Sequence, residues 1–471
     1  MVDELVIDLA SAPESIDPLF AYSPTDWSIV HSIYDAPVGF AEDGSIQPLA
    51  AESFEMVDDT TLEIVLRSGL QFHDGSSVTA EAIARSVEAM RASGSQASSL
   101  FSGITGVEIG ADGLSATLTL DAAAPWLPAQ IAAWLVLLPE GFNSDTALQA
   151  PVGSGPYRFE SQEAGSSITL VRNADYPTDS LKGQPIAERV TYRFVPELAT
   201  RVSDLASGAA QIVTAVPFDQ ADAISDAGAS HVEEPIVASA WIRIAADVAP
   251  FDDVRVRQAL NYAVDVDSVA QALVSPESNR LATLFPDERA LGFDPDLAPY
   301  EFDTGKARSL LEEGGHGEGL EVQLEITSGA RVDVAEAIVA RLNEAGFSAT
   351  IVTSEIATFN GAWKDANAPA LRLVTWGPLY DPHSLLSLVF AGEGYLSRYA
   401  NAEVDALIAD AGRETDPATR QSLYKELGAL MHEDAPAVFL WNLVSGYGVS
   451  KDATKWVPRG DEYVLPMSGN A

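Results

Sequence analysis

The sequence predicts a mixed α/β protein of more than one lobe, and three observations carry that reading. From 320 to 352 an alternating run, a helical stripe and another apolar run follow each other, the rhythm of strand, helix and strand. From 250 to 273 an Asp-led stretch reads as a pair of short helices laid on the core of an α/β domain. At 471 residues the chain is too long for one ordinary core and divides into roughly three domains or lobes.

In chain order, Leu5-Val6-Ile7-Asp8-Leu9 reads as the opening strand, and Asp43-Gly44 as a tight hairpin turn. Leu62, Ile64 and Leu66 alternate on one strand face. Thr79 caps a helix striped by Ile83, Val87 and Met90, with Glu81 early in it. Asp112-Gly113 closes a second hairpin, with Ala116, Leu118 and Leu120 inward; Trp126 and Trp134 lie on an apolar segment ending at Pro139. Gly153-Ser154-Gly155-Pro156 would cradle a phosphate only if a helix began there, whereas Tyr157 and Phe159 alternate into a strand.

Thr191 to Val195 is another strand, followed by a helix striped by Leu198, Val202 and Leu205 and stopped at Gly208. In Trp241-Ile242-Arg243-Ile244-Ala245 the period of two puts Trp241, Arg243 and Ala245 on one side. The Asp252-Asp253 pair offers a cap to a helix with Val256, Leu260, Ala263 and Val264 on its apolar face, and Arg255, Arg257 and Asn261 turned elsewhere. A short helix from Asp267 buries Val269, Ala270 and Leu273. Leu320 to Ile326 is a strand; Asp333 with Glu336 resembles a capping box before Val334, Ile338 and Leu342, and Gly346 is the stop. Leu371, Leu373 and Thr375 form the buried side of a strand that breaks at Gly377-Pro378. Asp416-Pro417 opens the last long helix, striped by Leu423, Leu427, Leu430 and Met431, and Pro436 to Val444 runs back extended.

Composition excludes several function classes. The 69 acidic and 27 basic residues give a net charge of −42, which repels phosphate backbones and anionic headgroups, so no nucleic acid or membrane-surface partner is expected. Such a surface suits solubility outside the cell, in salty surroundings included. Zero Cys excludes disulfides, thiol catalysis and thiolate metal sites. No apolar run reaches a membrane-spanning length. The six histidines are scattered without metal-ligand spacing; His73-Asp74 and Asp381 with His383 are the nearest to a pair. No Gly-x-Ser-x-Gly, phosphate-loop Lys or His-Glu-x-x-His pattern occurs. We therefore expect no enzyme, no cofactor and no metal.

The place where a ligand is expected is Leu371 to Pro382, where aromatics stand at the carboxyl end of a strand in an α/β sheet. The alternative is that Trp376 and Tyr380 pack a lobe edge. Trp241 and Arg243 form a second candidate, since indole stacks on a sugar or an apolar side chain and guanidinium forks onto a carboxylate or phosphate. The bland counterpart is a core Trp beside a surface Arg.

Pro250-Phe251-Asp252-Asp253-Val254-Arg255-Val256-Arg257-Gln258-Ala259-Leu260-Asn261-Tyr262-Ala263-Val264-Asp265 resembles the "PF-D-RVRQALNYAID" segment of the extracellular solute-binding proteins of ABC importers, family 5 (peptide/nickel/oligosaccharide class). Leu66 to Gly75 resembles that family's "LR-GVKFHDG", 152–159 its "GTGPY-F", 205–212 its "L-SGEVDI" and 302–311 its "YD--KARALL-EAG". The resemblance runs from about residue 5 to about 450.

It implies a two-lobed periplasmic-binding-protein-like fold (type II) with a small subdomain inserted in lobe I. The expected division is 1–33 lobe I, 34–154 inserted subdomain, 155–236 lobe I, 237–439 lobe II and 440–471 the return to lobe I. It also implies capture of a peptide or similar organic solute by lobe closure and delivery to ABC permease subunits by a monomer, in the periplasm or at the cell surface. A leader removed ahead of Met1 belongs to that expectation. The family's "W--DY-DP" falls on Trp376, Gly377, Tyr380 and Asp381, with Leu379 where peptide-binding relatives carry the Asp that holds an amino terminus. By position, Trp241, Arg243, Tyr22, Trp27, Trp363 and Tyr395 complete the expected ligand contacts. Within the class an oligosaccharide or sugar conjugate is the alternative ligand. From other classes come an acidic extracellular hydrolase, which lacks a nucleophile–base set here, and a sensor domain without a transporter.

Overall fold

A computed structural model describes residues 1–469 and divides the chain into two compact units: Met1–Glu234 with the chain from Ser445 on, and Pro235–Val444. The chain passes between them twice, within the strands Ser230–Ile244 and Ala437–Val449.

In the first unit Val2–Leu9 pairs in parallel with both Ala187–Phe194 and Ile212–Val213. The antiparallel strands Ser167–Arg172 and Tyr157–Glu163 extend it on one side, and Val449 pairs with Ile212 on the other. Leu5 and Ile7 are fully buried in this sheet because both its faces are covered. A separate antiparallel sheet runs in the order Ala51–Asp58, Thr61–Leu66, Ser115–Leu120, Ile104–Ile109. The helix Ala80–Ser93 buries Ile83, Val87 and Met90 in the same core as that sheet's Leu62, Ile64, Ala116 and Leu118.

The glycine run is a turn, and its glycines have a steric reason. A Cβ on Gly153 would stand 2.1 Å from Ile33 O and one on Gly155 2.7 Å from the same atom, while Gly155 N donates to Ile33 O. His73 stitches the turn from the other side, with Nε2 3.0 Å from Gly155 O and its own N–H donating to Gly153 O. With neutral imidazole, Nε2 is the donor and Nδ1 faces Gly153 N.

In the second unit the strands run in the order Phe347–Ser354, Leu320–Thr327, Leu371–Trp376, Ser230–Ile244; the first two contacts are parallel and the last antiparallel. Helices Val254–Ala263, Thr304–Glu313 and Val332–Glu344 place Val256, Leu260, Leu311 and Ile338 in one core with Ile242, Ile244, Leu324 and Leu371.

Several expectations change in detail here. Arg257 and Asn261 do not face solvent. Arg257 donates to the carbonyls of Phe251, Asp252 and Asp434 and to the Asp434 carboxylate, and Asn261 bridges Ala437 O and Phe439 N. Asp253 is the cap, accepting from Arg255 N, and Asp265 rather than Asp267 caps the next short helix; Leu273 is only half-buried. Asp333 lies inside its helix and pairs with Arg331, so no capping box forms. The last long helix buries Arg420, Tyr424, Leu427, Gly428 and Met431, which leaves Leu423 and Leu430 half-buried. In Leu371–Trp376 the buried residues are Leu371, Arg372 and Val374, with Thr375 exposed. Both faces of that strand are covered at its start, so alternation does not tell inside from outside.

Candidate functional site

Three of the expected ligand residues, Trp241, Arg243 and Trp376, lie on one face of the second unit's sheet. In the antiparallel pairing Ser239 lies opposite Trp376, Trp241 opposite Val374 and Arg243 opposite Arg372, and directly opposed residues share a face. The parallel neighbour sets Glu325 beside Arg372. The row Glu325, Arg372, Arg243 therefore crosses three strands on the face away from the helical core.

Each charge in the row has identifiable partners. Arg372 donates from Nε to Glu325 at 2.6 Å and from Nη2 to Phe359 O, with its guanidinium 3.9 Å from the Phe359 ring centroid. Arg243 donates to Trp363 O at 2.9 Å and Pro369 O at 3.3 Å. Both guanidiniums lie against the Trp363 ring, at 5.6 Å for Arg243 and 5.5 Å for Arg372, within cation–π range. Burial, and then the like charges of Arg372 and Arg398, pull the Arg243 pKa down to about 9. Burial also lowers that of Arg372, against the opposing pull of Glu325.

The aromatic wall continues along the same face. Trp376 meets Trp363 edge-on at 6.5 Å, and Trp241 packs on Phe390 at 5.3 Å. Trp241 has 0% of its surface accessible and Trp363 only 8%, whereas Trp376 is half-buried and Gly377 exposed. Gly377 is required for space, since a Cβ there would stand 2.3 Å from Ala238 Cβ. The chain crosses the strand end here, with Leu379 N donating to Val237 O.

The other expected residues are placed differently. Asp381 is committed to Arg420 through two contacts, at 2.7 and 3.1 Å, and accepts from His383 N. Its carboxylate is thus part of the scaffold and not an open acceptor. Tyr380 is buried in the same loop, its carbonyl accepting from Leu291 N. Tyr395 is 78% exposed. In the first unit Tyr22 is 53% exposed, but Trp27 is 1% exposed and packed on His31 and Trp134. That packing makes Trp27 a core residue in this structure, with no ring face left for a solute. Among the described residues no cluster of three or more His, Cys, Asp or Glu is placed to hold a metal ion.

Sequence reasoning missed Ser239, Glu325, Arg372 and the Arg398–Asp247 pair, which meets at 2.7 Å. One signal was available: an Arg between Leu371 and Leu373 inside an apolar strand needs an acid partner nearby.

The model of the bacterial extracellular solute-binding proteins, family 5 Middle, matches residues 45–397. The chain belongs to family 5 of the bacterial extracellular solute-binding proteins. A glutathione-binding protein of Pectobacterium atrosepticum is 26% identical over 474 residues, covering 93% of this chain and 88% of its own. The substrate-binding protein CtaP of Listeria monocytogenes superposes with a TM-score of 0.86 at 21% identity, covering 100% of both chains. The binding protein DppA of Helicobacter pylori, solved with the peptide STSA, gives 0.80 at 20% identity, covering 99% of this chain and 98% of that one. The superpositions show the two-lobed fold, and the family is one of extracellular solute-binding proteins. No helix of the described residues is long and apolar enough to cross a membrane.

Proposed function

We propose that this family 5 protein captures a peptide-like organic solute outside the cytoplasm and delivers it unchanged to the permease of an ABC importer. The observation that carries the reading is the sheet face of the second unit, where indole rings and guanidiniums converge beside an exposed strand end at Gly377. Apolar walls with a few placed polar groups are what a small-solute site needs. The named relatives, a glutathione-binding protein and a peptide complex, support a peptide-sized ligand.

In this proposal Trp376, Gly377, Arg243 and Tyr395 contact the solute, with Trp241 and Trp363 as the wall behind them. Tyr380 and Asp381 hold the loop that presents Trp376. The two chain crossings at 234–235 and 444–445 are the hinge of closure. The working form is a monomer that does no chemistry on its ligand; its anchorage, as a lipoprotein or free in the periplasm, is open to direct lipid analysis of the native protein.

Native mass spectrometry of the protein purified without denaturation tests the reading. A retained solute of peptide mass supports it, and a hexose ladder transfers the assignment to the oligosaccharide class. Turnover of peptides or glycosides that a single carboxylate change abolishes would replace it with a hydrolase.

A further inference from the structure

The second unit holds a cavity of about 280 Å³ that shares no residue with the sheet face described above. It lies between the irregular segment 279–299 and the last long helix, Pro417–Asp434. Leu281, Phe285, Pro286 and Leu297 give it apolar walls, and Gly428 gives it a bare stretch of helix. A Cβ at Gly428 would stand 3.2 Å from Phe285 Cε2, so the missing side chain is what lets that ring lie against the helix. The volume falls just short of the ~300–1,000 Å³ of sites for drug-sized ligands, which suits one amino acid and not a peptide.

Charge selects the class of ligand. Of the charged residues lining the cavity, Arg280 donates to Tyr300 O and faces Asp267, and Asp287 is forked onto Arg289. Lys425 and Asp294 are held differently. Their nearest atoms, Nζ and Oδ1, stand 3.6 Å apart, attracted but too far for a hydrogen bond. Asp294 Oδ1 accepts from Asp296 N, while Oδ2 and the Lys425 ammonium make no hydrogen bond among the described residues. A lone anion drawn to Lys425 would also meet Asp294, and a lone cation drawn to Asp294 would meet Lys425. A zwitterion answers both. In an α-amino acid the ammonium nitrogen and the carboxyl carbon are about 2.5 Å apart, so one molecule reaches both side chains with its own side chain turned onto Phe285.

The two walls of the cavity are also the two anchors of one loop. From the segment, Leu291 N donates to Tyr380 O at 3.0 Å; from the helix, Arg420 holds the Asp381 carboxylate at 2.7 and 3.1 Å. Gln421 Oε1 accepts from Gly292 N at 2.9 Å and ties the walls together. We infer that the cavity is a second binding site, for a free amino acid with an apolar side chain, and that filling it steadies the loop 376–381. A ligand that fixes the spacing of the walls favours one arrangement of the loop they hold, and the coupling runs both ways. The consequence for solute capture rests on the reading above; the site itself does not.

The test is calorimetry on the whole protein with L-leucine and L-phenylalanine, set against 4-methylpentanoate, which lacks the ammonium, and 3-methylbutylamine, which lacks the carboxylate. Expected is binding of the amino acids, weaker by about tenfold or more for either truncated analogue and for leucine with Lys425→Met or Asp294→Asn, since each removes a hydrogen bond between charged groups. Hydrogen exchange followed by mass spectrometry should slow across 376–381 when leucine is bound. Leucine affinity unchanged by Lys425→Met and Asp294→Asn, analogues binding as tightly as leucine, or no binding of either amino acid overturns the site and leaves solute capture standing. Exchange across 376–381 that does not slow with leucine bound overturns the coupling.

Discussion

Arg243 and Arg372 stand opposite each other across two antiparallel strands, both almost inaccessible, with the indole of Trp363 against both guanidiniums. Two like charges in that position are tolerable only because Glu325 answers one of them at 2.6 Å. Glu325→Gln should therefore destabilise the protein by about 3–5 kcal/mol, the usual effect of stranding one member of a buried pair. The double variant Glu325→Leu with Arg372→Met should recover most of that loss. Urea unfolding of the single and double variants reads both, and two additive losses would show that the charges are not coupled.

Trp376 is the one indole of this face that keeps part of its surface open while meeting a neighbour only edge-on. Trp376→Ala should weaken solute binding by at least about tenfold, as loss of an aromatic anchor does, with a small shift in melting temperature. Unchanged affinity by calorimetry removes the strand end from the site.

Arg257 ties the helix Val254–Ala263 to the rest of the second unit. It closes Phe251, Asp252 and Asp434 around one guanidinium, and Asn261 ties the same helix to Ala437 and Phe439. Arg257→Lys keeps the charge but loses the fork, leaving buried carbonyls short of donors, so about 2–4 kcal/mol of stability should go. A melting temperature within one degree of wild type would contradict this.

That helix also shows what could be read beforehand and what could not. Its cap at Asp253 and its stripe of Val256 and Leu260 are local patterns, and they were legible. The Asp434 partner of Arg257 and the Ala437 and Phe439 partners of Asn261 lie more than 170 residues away, beyond any window of periodicity. Gly153 and Gly155 were legible as a turn because Tyr157 and Phe159 follow as a strand. On the site face, Trp376 and Arg243 were visible as types, but Glu325 and Ser239 were not. Only strand register brings them alongside, and register is not written in one strand.

The excess of 42 negative charges should make stability depend on ionic strength. Raising sodium chloride from about 0.01 to 0.5 M shortens the screening length from ~30 Å to a few Å, so the melting temperature should climb by several degrees and then level off. A flat profile would mean that the surface charges are already compensated at low salt.

Burial holds the pKa of His73 down to about 4, and that of His383 also to about 4. For His73 the geometry gives the reason: Nε2 donates to Gly155 O while Nδ1 faces an N–H, so a second ring proton has no acceptor. The unfolded chain, with an imidazole near 6.5, takes up its proton first as pH falls. Stability from the neutral ring is therefore intact above about 6.5, drains between there and about 4, and is gone below, up to ~3 kcal/mol per histidine. The many carboxylates also titrate in that window, so absolute stability is a poor readout, and the difference between wild type and His73→Asn removes them. Wild type should lose more than the variant between pH 7.5 and 4.5, with the gap closing by as much as that amount. Parallel urea midpoints across this range would show that the ring takes up its proton in place, and that the turn at Gly153 and Gly155 does not depend on its neutral form.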